Sequence, residues 1–144
     1  MLSVDYRALV SRADLIYHRP VQESVEGQPI GNGEMGTLVW TTPNAIHFQI
    51  NRSDVFAVNR IHTELQASAI DYGGACAHIK VDLGSDPFRS SEIFEQRLSL
   101  YDAEILIAEE SVCVRCFISA VSDILLKNFT NSKRCRQNLK KMVS

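Results

Sequence analysis

No stretch of this 144-residue chain approaches the ~20 consecutive apolar residues that a membrane-spanning helix requires. The N-terminal MLSVDYRALVSRADLIYH scatters charges where a signal peptide carries its apolar run, so no leader is read there. No acidic residue follows Asp123, whereas Lys127, Lys133, Arg134, Arg136, Lys140 and Lys141 do, leaving residues 1–123 at a net −8 and the last 21 at +6. Such a tail can bind nucleic acid or an anionic membrane. Residues 132–144 are read instead as a solvated, disordered end, so neither nucleic acid nor membrane is expected as a partner. CVRC at 113–116 lacks the second Cys/His pair of a zinc site. In a strand its two sulfurs also point to opposite faces, so no metal or cofactor is expected, and buried structural thiols are. No repeat of solenoid period is present, and no complete catalytic constellation is visible.

What is present reads as one globular domain. The apolar content of 45% against 22% charge suits a chain with a real core. From Gly36 onward the dominant period is two. TLVWTT runs to Pro43-Asn44, and AIHFQIN then sets Ile46, Phe48 and Ile50 on one face and His47, Gln49 and Asn51 on the other, a half-buried hairpin. AHIKVDL resumes the alternation after Gly73-Gly74, and IFEQRLSL, AEILIAEE and SVCVRCFISA are three further strand candidates joined by short turns, followed by a final apolar piece, ILLKNF. The expected fold is an all-β antiparallel sandwich with an irregular or short helical insertion near 55–72. A lead-in over 1–12, a sandwich over 13–131 and a basic tail over 132–144 divide the chain.

One segment invites a different reading. GNGEMG places Gly31, Gly33 and Gly36 at the G-x-G-x-x-G spacing of dinucleotide-binding loops. Such a loop follows a buried strand and opens a helix whose N-terminal amides meet the pyrophosphate. Here VQESVEGQP precedes it and TLVWTT, stopped by Pro43, follows. Neither flank fits, so a structural turn is expected: the chain reverses tightly about Asn32 at Gly31 and Gly33, and passes close to packed neighbours at Gly36.

Three stretches together resemble a known pattern. They are RPVQESVEGQPIGNGEMGTLVWTT, IHFQINRSDVFAVN and FEQRLSLYDAEILIAEESVCVRCFISAVSDIL. In order and spacing they are similar to the N-terminal β-sandwich of glycoside hydrolase-like proteins related to the family 95 alpha-L-fucosidases and, more remotely, to the family 65 phosphorylases. The resemblance covers about residues 13–126. It implies part of a longer sandwich followed by an α/α barrel that carries the catalytic carboxylates, and a bacterial, exported setting for intact relatives. The partners it implies are carbohydrate and that barrel. No position here receives the barrel's catalytic residues, so a truncated, non-catalytic domain is expected, with uncovered strand edges prone to self-association. The alternative is a free-standing carbohydrate-binding or protein-interaction module.

Candidate contacts follow from residue chemistry. Asn51, Arg52 and Asp54 offer the donors and acceptors that sugar hydroxyls take or make a turn with local bonds and a surface ion pair, and Trp40 could stack on a sugar ring or fill the core. His47 is read as an outward strand residue. Glu34, Asp54, Asp71 and Asp102 are the candidate carboxylates, but glycoside cleavage needs an acid and a base whose pKa values are driven apart. Strand faces and turns account for these four without chemistry.

Overall fold

A computed structural model of the chain describes residues 3–58, 71–89, 93–110 and 112–130. Two antiparallel sheets pack face to face, and the all-β sandwich expected from the period-two pattern is what forms. One sheet has the order β2-β3-β4-β5, built from Gln28–Gly31, Met35–Thr42, Ala45–Val58 and Asp71–Asp82. The other has the order β1-β6-β7-β8-β9, built from Leu15–Tyr17, Glu95–Ser99, Glu104–Ala108, Cys113–Ile118 and Leu125–Thr130. A short helix α1, Tyr6–Ser11, capped by the Asp5 side chain, lies in the lead-in. Strands reach further than the pattern suggested: β4 runs to Val58 and β5 starts at Asp71. Residues 59–70, where the insertion was expected, and the basic tail lie outside the described residues.

The core forms where alternating side chains of both sheets meet. Val39, Ile46 and Phe48 face Ile105, Ile107, Val114 and Cys116, all at most 1% exposed. Phe88 and Phe94, from the β5–β6 connection, close one side edge-to-face at 5.4 Å. The two cysteines of CVRC part as strand geometry requires. Cys116 joins this core, its thiol pushed up to about 12 by burial, while Cys113 packs with Leu106 and Ala108. Not all cysteines are buried thiols, however: Cys113 is disulfide-bonded and Cys76 is exposed. Alternation in sequence cannot report either outcome.

Buried polar groups join the sheets. Gln96 on β6, fully buried, donates to Gln28 Oε1 and to the Val39 carbonyl, both at 3.1 Å, and accepts from the Thr41 hydroxyl. Gln28 donates in turn to the carbonyls of Leu15 and Gln96. Every amide in the group finds partners, which is the condition for burying it at all.

The glycine-rich segment is a hairpin. Gly31 pairs with Gly36 across β2 and β3, and the Asn32 amide donates to the Met35 carbonyl. Gly33 has φ +98°, a conformation costly for L side chains, and a Cβ at Gly31 would stand 3.0 Å from the Met35 carbonyl oxygen. At Gly36 a Cβ would meet only the Ile30 carbonyl, at 3.7 Å, so the close approach expected there is not seen. Gly33→Ala and Gly31→Ala should each cost about 1–2 kcal/mol, whereas Gly36→Ala should lie within about 0.5 kcal/mol of the parent. Urea midpoints of the three variants check this ordering.

β5 is the open edge of its sheet. Ile79 and Ala77 pair with the inward-facing Phe48 and Ile50, yet both are exposed, Ile79 by 41%. Val81, two residues further on, still packs against the core, so β5 leaves the sandwich core between Val81 and Ile79.

Candidate functional site

The residues singled out from the sequence fall in two places. Asn51, Arg52 and Asp54 lie at one end of the sandwich, where β4 loses its register with β5. Arg52 donates to both Asp54 oxygens, at 2.9 and 3.1 Å, and to Asp123 on the loop leading to β9. Asp123 also accepts from Asn32 at the tip of the first hairpin. The Arg52 hydrogen bond, followed by its charge, holds the Asp54 carboxyl below the usual range. The Asn32 bond, then Arg52, does the same for Asp123. The guanidinium is thus committed to two carboxylates of its own chain, and the group ties the ends of both sheets.

Of the other carboxylates, Asp102 accepts from Arg7 at 2.5 Å and from the Ser99 hydroxyl at 3.1 Å. Glu34 sits in the turn, where its backbone carbonyl accepts from the Ser53 amide. Asp71 opens β5. These positions do not converge on one cleft. Among the described residues, no group of three or more His, Cys, Asp or Glu could hold a metal ion.

Trp40 lies elsewhere, on the outward face of the four-stranded sheet. It is directly opposite His47, four residues along β3 from the Gly36–Asn51 pair, hence ~13 Å from the Arg52 group by strand rise. Trp40, His47 and His78, from β3, β4 and β5, form a stack with ring centroids 5.0–5.4 Å apart and planes within 14°. Trp40 is only 6% exposed, so its ring is committed to the imidazoles. Neither core residue nor open platform describes it.

The imidazoles and Thr42 form a hydrogen-bonded chain. Thr42 Oγ1 lies 3.1 Å from His47 Nε2, and His47 Nδ1 lies 3.2 Å from His78 Nε2. The tautomers set which nitrogen donates in each of these bonds, and His78 Nδ1 makes no hydrogen bond to the described residues. Burial first, then His78 and Lys80, lower the His47 pKa. The unfolded chain therefore binds more protons than the folded one as pH falls below 6.5, so stability falls in that direction. His47→Gln should flatten the dependence of melting temperature on pH between 7.5 and 5.5, and an unchanged slope would contradict this account.

Beside the stack, a shallow concavity of about 500 Å³ is lined by Ser24, Trp40, Gln49, His78 and the 75–77 segment. Its floor depends on a bulge. Ile50 pairs with Ala77 but Asn51 with Ala75, so Cys76 is an extra residue of β5, a device that re-aims side chains and bends the strand. His78 and Gln49 went unremarked as site residues in the sequence, although they share one alternation phase with His47. Ser24, on a 3₁₀ turn ahead of β2, carries no sequence signal at all.

No curated protein matches this chain. Its sequence does match a family model, DUF5703_N, described as a domain of unknown function (DUF5703), over residues 16–140. That span covers both sheets, the Arg52 group and the imidazole stack. The chain therefore belongs to the DUF5703 N-terminal domain family.

Proposed function

We propose that this protein is a non-catalytic β-sandwich domain of a glycoside hydrolase-like protein, working on carbohydrate beside a catalytic barrel domain. The observation that carries the non-catalytic part is electrostatic. Among the described residues, three carboxyls are displaced from their ordinary range, Asp54, Asp82 and Asp123, and all three are displaced downward by hydrogen bonds and neighbouring cations. A glycosidase acid needs the opposite, a carboxyl held protonated by its surroundings. The carbohydrate part rests on the three-stretch resemblance over residues 13–126. The Arg52 group supports a scaffold role, because it locks one end of the sandwich instead of presenting free donors to a sugar.

The chain alone should not hydrolyse aryl-glycosides. Turnover that persists through successive purification steps and disappears in Asp54→Ala would overturn the proposal. A second reading, a carbohydrate-binding or interaction module acting by itself, is favoured by the concavity beside Trp40. The open β5 edge, with Ile79 exposed, supports self-association as a further property of this domain.

A further inference from the structure

We infer that the concavity beside the imidazole stack is a binding subsite for a neutral, hydroxyl-rich ring, a saccharide unit. The inference deepens the carbohydrate reading and rests on it. Its first support is the Trp40 indole. The side chain is 94% buried, yet its N–H has no acceptor among the described residues, which is costly unless a ligand or water supplies one. Its second support is the company that indole keeps. The Gln49 amide and the Ser24 hydroxyl, in the same wall, make no side-chain hydrogen bond to the described residues. His78 Nε2 is held by His47 Nδ1, while His78 Nδ1 makes no hydrogen bond to the described residues.

A neutral donor, an amide with both functions, a hydroxyl and an imidazole nitrogen thus surround one space within the volume range of small-molecule sites. Among the described residues, no carboxylate, lysine or arginine lines it. Lys80, the nearest cation along β5, is paired with Asp82 at 3.6 Å. This lining gives an anion or a cation no counter-charge. Sugar hydroxyls, each donor and acceptor at once, match it group by group. The ring does not lie flat on Trp40, whose face is taken by the imidazoles, but meets its N–H edge.

Trp40 is the only tryptophan in the chain, so one indole cross-peak in a ¹H–¹⁵N spectrum reports on this site alone. The full chain is screened on an array of neutral glycans, and the sugars that bind are titrated into labelled protein. A saturable shift of the indole peak is expected. Affinity should fall about tenfold in Gln49→Ala and in Ser24→Ala, variants whose dispersed spectra confirm the fold. Sugars that bind while the indole peak stays in place, with both variants binding as the parent does, would overturn this site but leave the carbohydrate reading standing. Absence of binding to every glycan would overturn the site and the carbohydrate reading together, while the hydrolysis assay decides the non-catalytic part separately.

Discussion

Asp14→Ala should destabilise the protein by about 3–5 kcal/mol, the cost of leaving a buried charge without its partner. The Asp14 side chain is 1% exposed and that of Arg97 is 7%. Arg97 donates from Nε and from a terminal nitrogen to one Asp14 oxygen, at 2.9 and 2.7 Å, and the Leu100 amide donates to the other at 2.9 Å. The carboxylate therefore pins the lead-in segment onto the outer face of β6, where Arg97 would otherwise meet water. Removal of the carboxylate strands a guanidinium and a backbone amide at once. Chemical denaturation measures the loss, which for a domain of this size corresponds to a fall of roughly 10 °C in melting temperature. Arg97→Met in the Asp14→Ala background should recover much of it, since the orphaned charge goes too. A single-variant loss below about 1 kcal/mol would show that this pair is open to solvent.

Asn32→Ala should cost about 2–4 kcal/mol, more than any one turn glycine. Asn32 Oδ1 accepts from the amides of Glu34 and Met35, at 3.0 and 2.8 Å, closing the first hairpin. Its Nδ2 donates to the carbonyls of Ser119 and Ser122, on the loop of the opposite sheet, and to Asp123. At about 0.5–1.5 kcal/mol net for each bond, one short side chain carries both the turn and the joint between sheets. Asn32→Asp keeps the acceptor for the hairpin amides but sets a carboxylate against Ser119, Ser122 and Asp123, so it should be as damaging as alanine. Loss of the Asn32 bond should also raise the Asp123 carboxyl toward its ordinary range, since that bond is the main cause of its depression. With Asp54 and Asp123 held low, the unfolded chain binds protons first as pH falls below 3.8, and stability declines in that direction. The Asn32→Ala protein should lose part of this acid-side slope, which denaturation midpoints between pH 5 and 3 would reveal.

GNGEMG shows how far residue order carries. Its flanks were enough to exclude a nucleotide loop and to place a turn at Asn32, because strand patterning and glycine are local properties. The close approach expected at Gly36 was a guess about a neighbour, and the neighbour is not there. The strands from β3 to β8 were likewise legible from alternation and turn residues, whereas β9 showed only as an apolar piece. β1 and β2 were not, being three and four residues long and set among polar residues and breaks. Gln28 and Gln96 read as polar strand positions, although the fold buries both completely.

The candidate site divides along the same line. His47 was placed on the outward face from the period of AIHFQIN alone. That Trp40 and His78 would stack against it depends on which residues face each other across three strands, a register set by the hairpin turn and by the packing of the opposite face. In sequence Arg52 reads either as the partner of Asp54 in a surface ion pair or as a donor to a sugar. Asp123, 71 residues away, reaches it only because the two sheets close over a common core. The sequence by itself determined strands, turns, faces and the absence of a cofactor loop, since those follow from interactions within a few residues. Only the tertiary structure decided which polar groups are spent on each other and which are left open beside Trp40, because hydrogen-bond partners are allotted by distance in space, and a chain of alternating residues leaves that distance unset.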